Sequence, residues 1–257
     1  TSQTLPHTAT LFPMQAGRIG FSRWEHLENV NDVKLFAMHP DCTQMIALSG
    51  QHGKPGNSIV QVTESATQNV FYGIATEREN TIQAGALVRL DARLVRDGGE
   101  IVGDVFDEEK DGAYEVLTPG VPRDDGPSPV GRYRSPATLP NGDVLVSWAE
   151  GPVNEFSELI KTPPDYGLYV FDVETQSNRL VVNYEDSWEL YAKPLAARAE
   201  PQDVSPQQAT VDAATPATIG SIDVRRTSLT LKHGERISGA QVDDVTVDAV
   251  LEDAVKG

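Results

Sequence analysis

The densest group of side chains able to do chemistry is the run Ser22-Arg23-Trp24-Glu25-His26, which directly follows a strand-like segment. Strand alternation sets Arg23 and Glu25 on one face and Trp24 and His26 on the other. So arranged, Trp24 offers an aromatic surface for a ligand, and Glu25 with His26 offers a proton or metal site. The same pattern suits a packing role, with Trp24 between neighbouring sheets and the charges on a rim. A second group, Tyr184, Trp188 and Tyr191 in YEDSWELY, has the aromatic spacing that closes a core or forms a ligand shelf beside a final strand. Trp188 therefore joins Arg23, Trp24, Glu25 and His26 as a ligand or interface candidate.

Other chemistries leave weaker marks. Asp107, Glu109, Asp111 and Gly112 in FDEEKDG approach the spacing of a Ca²⁺ loop, a cation that takes several oxygen ligands, but a solvated acidic hairpin fits the same residues. The histidines at 7, 26, 39, 52 and 233 show no HExxH spacing, so His39 and His52 meet only if the fold brings them together. Ser22 and Ser147 lie inside strand-like runs, and neither a GxSxG elbow nor a glycine-rich phosphate loop occurs. The lone Cys42 excludes an internal disulfide and a cysteine-based zinc site, and it lies outside any CxxCH haem-attachment context. No catalytic, cofactor-binding or metal residue is assigned, and this segment alone is not read as an enzyme.

Charge narrows the partners. Lys and Arg number 21 against 38 Asp and Glu, a formal charge of -17 that repels phosphate backbones and anionic lipid. The acidic residues are dispersed, as on a solvated face. No run approaches the ~18 apolar residues that suggest a membrane span. The opening TSQTLPHTAT has neither a basic region nor an apolar stretch, so the sequence suggests either a removed leader or a start partway through a longer protein.

The elements that must position these groups repeat. RIGFS (18–22), NVFYGIA (69–75) and DVLVSW (143–148) form a first set of strands; VKLFAM (33–38), ALVRL (86–90) and GLYVFD (167–172) follow as a second. MIALS, YEVLT and RLVVN form a third, with turns of similar chemistry before them. This order recurs three times at a spacing of roughly 50–70 residues. It predicts an all-β chain of about three β-propeller blades, part of a larger ring because closure takes about four to eight. The expected division is a blade region over 1–195, an extended linker over 196–219, and a tail over 220–257 that packs on a neighbouring module. Within the tail a β-like run, IDVRRTSLTL, precedes helix-compatible spacing from Val247 to Val255. TERENTIQAG, PRDDGPSPVGRYRSP and EGPVNEFSELIKTPPDYG read as long connections, where binding residues are expected.

GRIGFSRWEH followed by VKLFAMHPDCTQMIALSG resembles a TolB-type propeller blade. Pro40 and Asp41 match its turn, and Cys42 stands where that family has glycine, so either the turn is strained or its type differs. RYRSPATLPNGDVLVSWAEG, with DYGLYVFDVETQSNRLVVNYEDSWELYAKPLAARAEP, is similar to the middle domain of hydrazine synthase alpha-subunit-like proteins. Lys193, Pro194, Leu195, Arg198 and Pro201 approach the exit segment of that domain, and the likeness spans residues 12–201. It implies a bacterial, extracytoplasmic protein, periplasmic or at the cell surface, with haem in an adjoining module. None of that enzyme's catalytic residues matches a position here. The resulting expectation is a non-catalytic scaffold for protein–protein or inter-domain contacts, its partners being other chains or further blades, with no nucleic acid and no membrane insertion. The alternatives are the propeller of a haem redox enzyme whose centre lies elsewhere, and a module binding Ca²⁺ or a small ligand.

Overall fold

The computed structural model describes residues 7–27, 30–49, 58–78, 82–93, 96–97, 100–101, 114–153, 163–197, 200–203, 236–242 and 245–250. Among them the regular elements are all strands. Apolar and β-branched runs broken by Gly, Pro, Asn and Asp drive this, because such runs fit a pleated surface and their breaks fit tight turns. The chain separates into two units, Thr1–Gln207 and Gln208–Gly257.

In the first unit, β1 (His7–Pro13), β2 (Ile19–Leu27), β3 (Val30–Met38) and β4 (Ile46–Ser49) form one four-stranded sheet in chain order. The second contains β5 (Ser58–Glu64), β6 (Val70–Thr76) and β7 (Ala86–Asp91). The short pair β8 (Arg96–Asp97) and β9 (Glu100–Ile101) intervenes before β10 (Tyr114–Val116) completes that sheet beside β7. The third is β11 (Gly131–Thr138), β12 (Val144–Glu150), β13 (Tyr166–Asp172) and β14 (Ser177–Val182), again in chain order. Neighbouring strands run antiparallel throughout. All nine runs expected as strands fall on β2, β3, β4, β6, β7, β10, β12, β13 and β14. Each sheet has one strand more than the sequence suggested, at its start. One of these corrects an expected connection: Gly131 to Pro136 of PRDDGPSPVGRYRSP belong to β11.

Those first strands share a defect at the same place. The register slips by one residue between Ala9 and Phe12, between Val60 and Thr63, and between Arg134 and Ala137. Within the slips Thr10, Gln61 and Ser135 take left-handed φ of 46°, 53° and 50°. A bulge leaves a backbone group without its ladder partner, and here a neighbouring bulge supplies it. The buried Gln61 side chain accepts a hydrogen bond from Ser135 N at 2.6 Å through Oε1. Its Nε2 donates to Gln83 O at 3.0 Å. The second and third sheets are further joined by the reciprocal pair Gly85 N to Tyr133 O at 3.1 Å and Tyr133 N to Gly85 O at 2.9 Å. Position 85 also requires glycine within its own sheet, since a Cβ there would lie 2.0 Å from Ala75 O of β6.

The sheets stack face to face. Phe12, Leu35 and Ala37 of the first meet Ile59, Val62, Phe71, Ala75, Val88 and Leu90 of the second. The other face of the second, with Val60, Tyr72, Ile74 and Leu87, meets Tyr133, Val144, Val146 and Phe171 of the third. The second sheet is thus covered on both sides, which explains why β6 is buried along its whole length.

A turn also recurs. In Met14–Arg18, His39–Thr43 and Leu139–Asp143 the first residue donates to the fifth carbonyl and the fourth donates to the first. The fourth residues, Gly17, Cys42 and Gly142, have φ of 73°, 67° and 94°. Cys42 therefore keeps the turn geometry of its two glycine counterparts, at the cost of a left-handed conformation.

The second unit contains the hairpin β15 (Arg236–Val242) and β16 (Val245–Val250). This corrects the helix-compatible reading of Val247–Val255 as far as Val250. VTVDAV alternates over Val245, Val247 and Ala249, and its β-branched Val and Thr favour a strand over a short helix. Residues 251–255, IDVRRTSLTL, and the linker beyond Asp203 lie outside the described residues.

Gln61→Ala orphans two polar groups at a buried contact, so unfolding in urea is expected to show a loss of about 1–3 kcal/mol; an unchanged midpoint would mean that the bulges are not coupled through Gln61. Cys42→Gly relieves the left-handed strain and is expected to raise stability by roughly 0.5–1 kcal/mol in the same assay, a fall in stability being the contrary result.

Candidate functional site

Antiparallel meanders place their connections alternately at the two ends of a sheet. Residues 77–78, 82–85, 117–130, 151–153 and 163–165, which belong to three connections, share one end with the tip of β2. The sequence-predicted group sits there. Arg23 and Trp24 lie in β2, where Arg23 faces Lys34 and Trp24 faces Val33 across the ladder. The Arg23 guanidinium lies 5.1 Å from the Phe36 ring, and its Nη1 lies 3.5 Å from Met45 Sδ. Trp24 carries the Arg78 guanidinium over its ring at 5.3 Å. Glu25 and His26 continue β2 opposite Asp32 and Asn31. FDEEKDG and His52 lie outside the described residues. Among the described residues no three His, Cys, Asp or Glu side chains gather as a metal site.

Trp188 packs instead on the side of the third sheet that faces away from the second, in a cluster that also holds Ile82 and Ala84. Arg132, Arg134, Ser147, Ala149, Tyr166 and Leu168 share that face by register. After β14 the chain returns across it: Trp188 and Leu190 pack on Ala149, Val153 and Tyr166, and Ala192 packs on Ala137, Leu145 and Val170. Glu189 N donates to Tyr166 O at 2.8 Å, and Ser147 Oγ donates to Glu189 O. Farther along, Gln202 N donates to Gln15 O of the first sheet at 2.9 Å. The returning segment acts as a strap.

Two arginines dominate the face beneath the strap, and sequence reasoning did not single them out. Arg132 is fully buried. Its Nη1 donates to Ala84 O at 3.1 Å and to Pro122 O at 3.2 Å, and its Nη2 donates to Gly126 O, with Asp124 at 3.9 Å. It thereby fastens two connections to β11, and backbone carbonyls supply much of the solvation it lost. Arg134 is 9% exposed and lies in the angle between two rings, 5.8 Å from Tyr166 and 5.7 Å from Trp188. Those rings meet edge to face at 5.1 Å and 75°. Their sequence signal was RYR, with arginines two apart at a strand start; such spacing ordinarily marks a solvated face.

The opposite face of β11 carries a titrating group. Tyr133 lies tilted against Trp148 at 4.1 Å and 39° and meets Phe171 edge-on at 5.9 Å. Burial pushes its hydroxyl up to about 12, and the hydrogen bond from Asn178 Nδ2 at 2.8 Å opposes that rise. At the far end of the sheets Glu64 accepts Gln15 N at 2.5 Å and Asn69 N at 2.7 Å, and burial holds its carboxyl above the usual range against both bonds. Asp91 is held below its usual range by the Arg93 hydrogen bonds, the shortest at 2.6 Å.

No known family model and no curated protein matches this chain.

Because the folded Tyr133 holds its proton more tightly than the unfolded chain does, its contribution is complete below pH ~10 and is lost as pH rises toward 12. Tyr133→Phe is expected to flatten that alkaline loss by roughly 2 kcal/mol in unfolding free energy. Equal alkaline slopes in wild type and variant would remove Tyr133 as the cause.

Proposed function

We propose that the three sheets are consecutive blades of a β-propeller, and that this region serves as a non-catalytic scaffold for protein–protein or inter-domain contacts. The blade reading is supported by three successive antiparallel meanders of four strands, stacked in chain order, each beginning with a strand bulged at the same position. The likeness of residues 12–201 to extracytoplasmic propeller domains supports it from the sequence side. Further blades, from the same protein or another chain, then continue the ring.

The observation that carries the scaffold reading is the edge of the third sheet. β14 is an edge strand on which Leu180 and Val181 are 54% and 49% exposed. Tyr184, Tyr191 and Leu195, on the segment that follows, are exposed as well. Along that segment Leu190, Ala192 and Pro194 are half-buried while Tyr191, Lys193 and Leu195 point outward, the period of an extended strand. Open backbone groups on an edge strand and exposed apolar side chains are together what a protein partner covers.

The test starts from the native assembly, with a photo-crosslinking residue at Val181 and a control at exposed Thr175. The partner captured at Val181 is then purified and titrated against the chain. Leu180→Asp with Val181→Asp is expected to weaken that binding at least tenfold while leaving the melting temperature nearly unchanged. Equal capture at both positions, or unaltered affinity of the double variant, would sink the scaffold reading. A haem absorption band from the assembly would favour the redox-enzyme alternative.

A further inference from the structure

The Arg134 guanidinium is buried without the partner that such a charge ordinarily requires. Only 9% of the residue is exposed, and among the described residues Nε has no hydrogen-bond partner. Arg89, Arg93 and Arg132 each lie within ion-pair distance of a carboxylate. What Arg134 does have is two aromatic walls, Tyr166 and Trp188, at 5.8 Å and 5.7 Å. Each ring contact is worth about 0.5–2 kcal/mol, whereas desolvating an unpaired guanidinium costs several kcal/mol. The rings flank the cation from one side, and because Nε is sealed off, the fork left for a carboxylate is the Nη1–Nη2 edge, which can meet it with two parallel hydrogen bonds.

We propose that Arg134, walled by Tyr166 and Trp188, is an anchor for a carboxylate presented by a protein partner, either an acidic side chain or a chain terminus. This rests on the scaffold reading and names the polar contact of the same interface. Trp188 is only half-buried, so the anchor lies one side chain below the surface. Two features select a carboxylate delivered by a partner over a free anion. The chain carries a formal charge of -17, a field that repels a diffusing anion. The exposed apolar residues of β14 and the strap give a partner independent contacts that hold its carboxylate in place.

Two measurements on the intact chain test it. Melting is followed in sodium acetate and in sodium chloride at equal ionic strength, with acetate as the probe. Wild type is expected to melt about 2 °C or more higher in saturating acetate, and Arg134→Met to show no difference. An identical acetate response in both proteins overturns the anchor. The partner captured through Val181 is then titrated against both proteins, with a loss of at least tenfold expected for Arg134→Met. Should Arg134→Met fail to fold, Arg134→Lys serves in both measurements: it keeps the charge, loses the fork, and is expected to weaken each effect, wild-type behaviour being the contrary result. An Arg134-dependent acetate response with unchanged partner affinity overturns the partner's carboxylate in favour of a free-anion site and leaves the scaffold reading standing. Failure of Val181 to capture any partner sinks the scaffold reading itself, whatever acetate does.

Discussion

The second sheet is apolar on both faces, and the rest of the first unit follows from that. Ile59, Val62, Phe71 and Val88 look one way and Val60, Ile74 and Leu87 the other, so neither face can be left to water. At about 25 cal/mol per Å² of apolar surface, burying one such side chain is worth roughly 1.5–3 kcal/mol, and a sheet with two apolar faces recovers this only between two neighbours. The first and third sheets are those neighbours. Their approach must satisfy backbone groups where the ladders break. Gln61 does so by spanning from one bulge to the next, and Gly85 does so by letting main chain meet main chain. Stacking and bulge are parts of one solution.

The same constraint reaches the outer face of the third sheet, but there the solution is different. Val170, Leu145, Ala137 and Tyr166 need cover, and the strap supplies it with Trp188, Leu190 and Ala192. A strap covers less than a sheet does, because it alternates: one set of side chains goes down and Tyr191, Lys193 and Leu195 go out. The end of the stack therefore remains partly apolar after the chain has done what it can, which is the physical content of the scaffold reading. Arg132 belongs to the same economy of cover. Its guanidinium replaces water for the carbonyls of Ala84, Pro122 and Gly126, and so lets two irregular connections lie on the sheet.

How much of this was legible in the sequence depended on side-chain alternation. VFYGIAT and VLVSWAE carry dense apolar and aromatic residues and read as strands without difficulty. HTATLFP, SIVQVTE and GRYRSPAT did not, because each is bulged and the inserted residue shifts its alternation by one. Pro136 adds a second disguise to β11, since a proline inside a run argues against a strand except at an edge or a bulge. Of the residues at the corner beneath the strap, Trp188 was singled out from the sequence, and Arg134 and Tyr166 were not. Whether Arg134 lies in solvent or between two rings depends on a strap more than fifty residues away in sequence, and no local pattern encodes that.

Cys42 shows what repeats in this protein and what does not. Gly17, Cys42 and Gly142 occupy one backbone conformation in three turns whose side chains have little in common. The bulge residues Thr10, Gln61 and Ser135 do the same in three strands. A recurrence carried by φ and by main-chain hydrogen bonds, while side chains diverge, is what results when the spacing of stacked sheets is the conserved quantity: turns and bulges set where each strand starts and how it twists, and many side chains can then fill the space between. That leaves individual positions free to take on other work. Ser135 and Arg134 stand side by side at the same bulge, the one tied through its backbone to Gln61 of the second sheet, the other turned to the aromatic corner on the far side. The contact that joins the sheets therefore also fixes the position of Arg134 beside the aromatic corner.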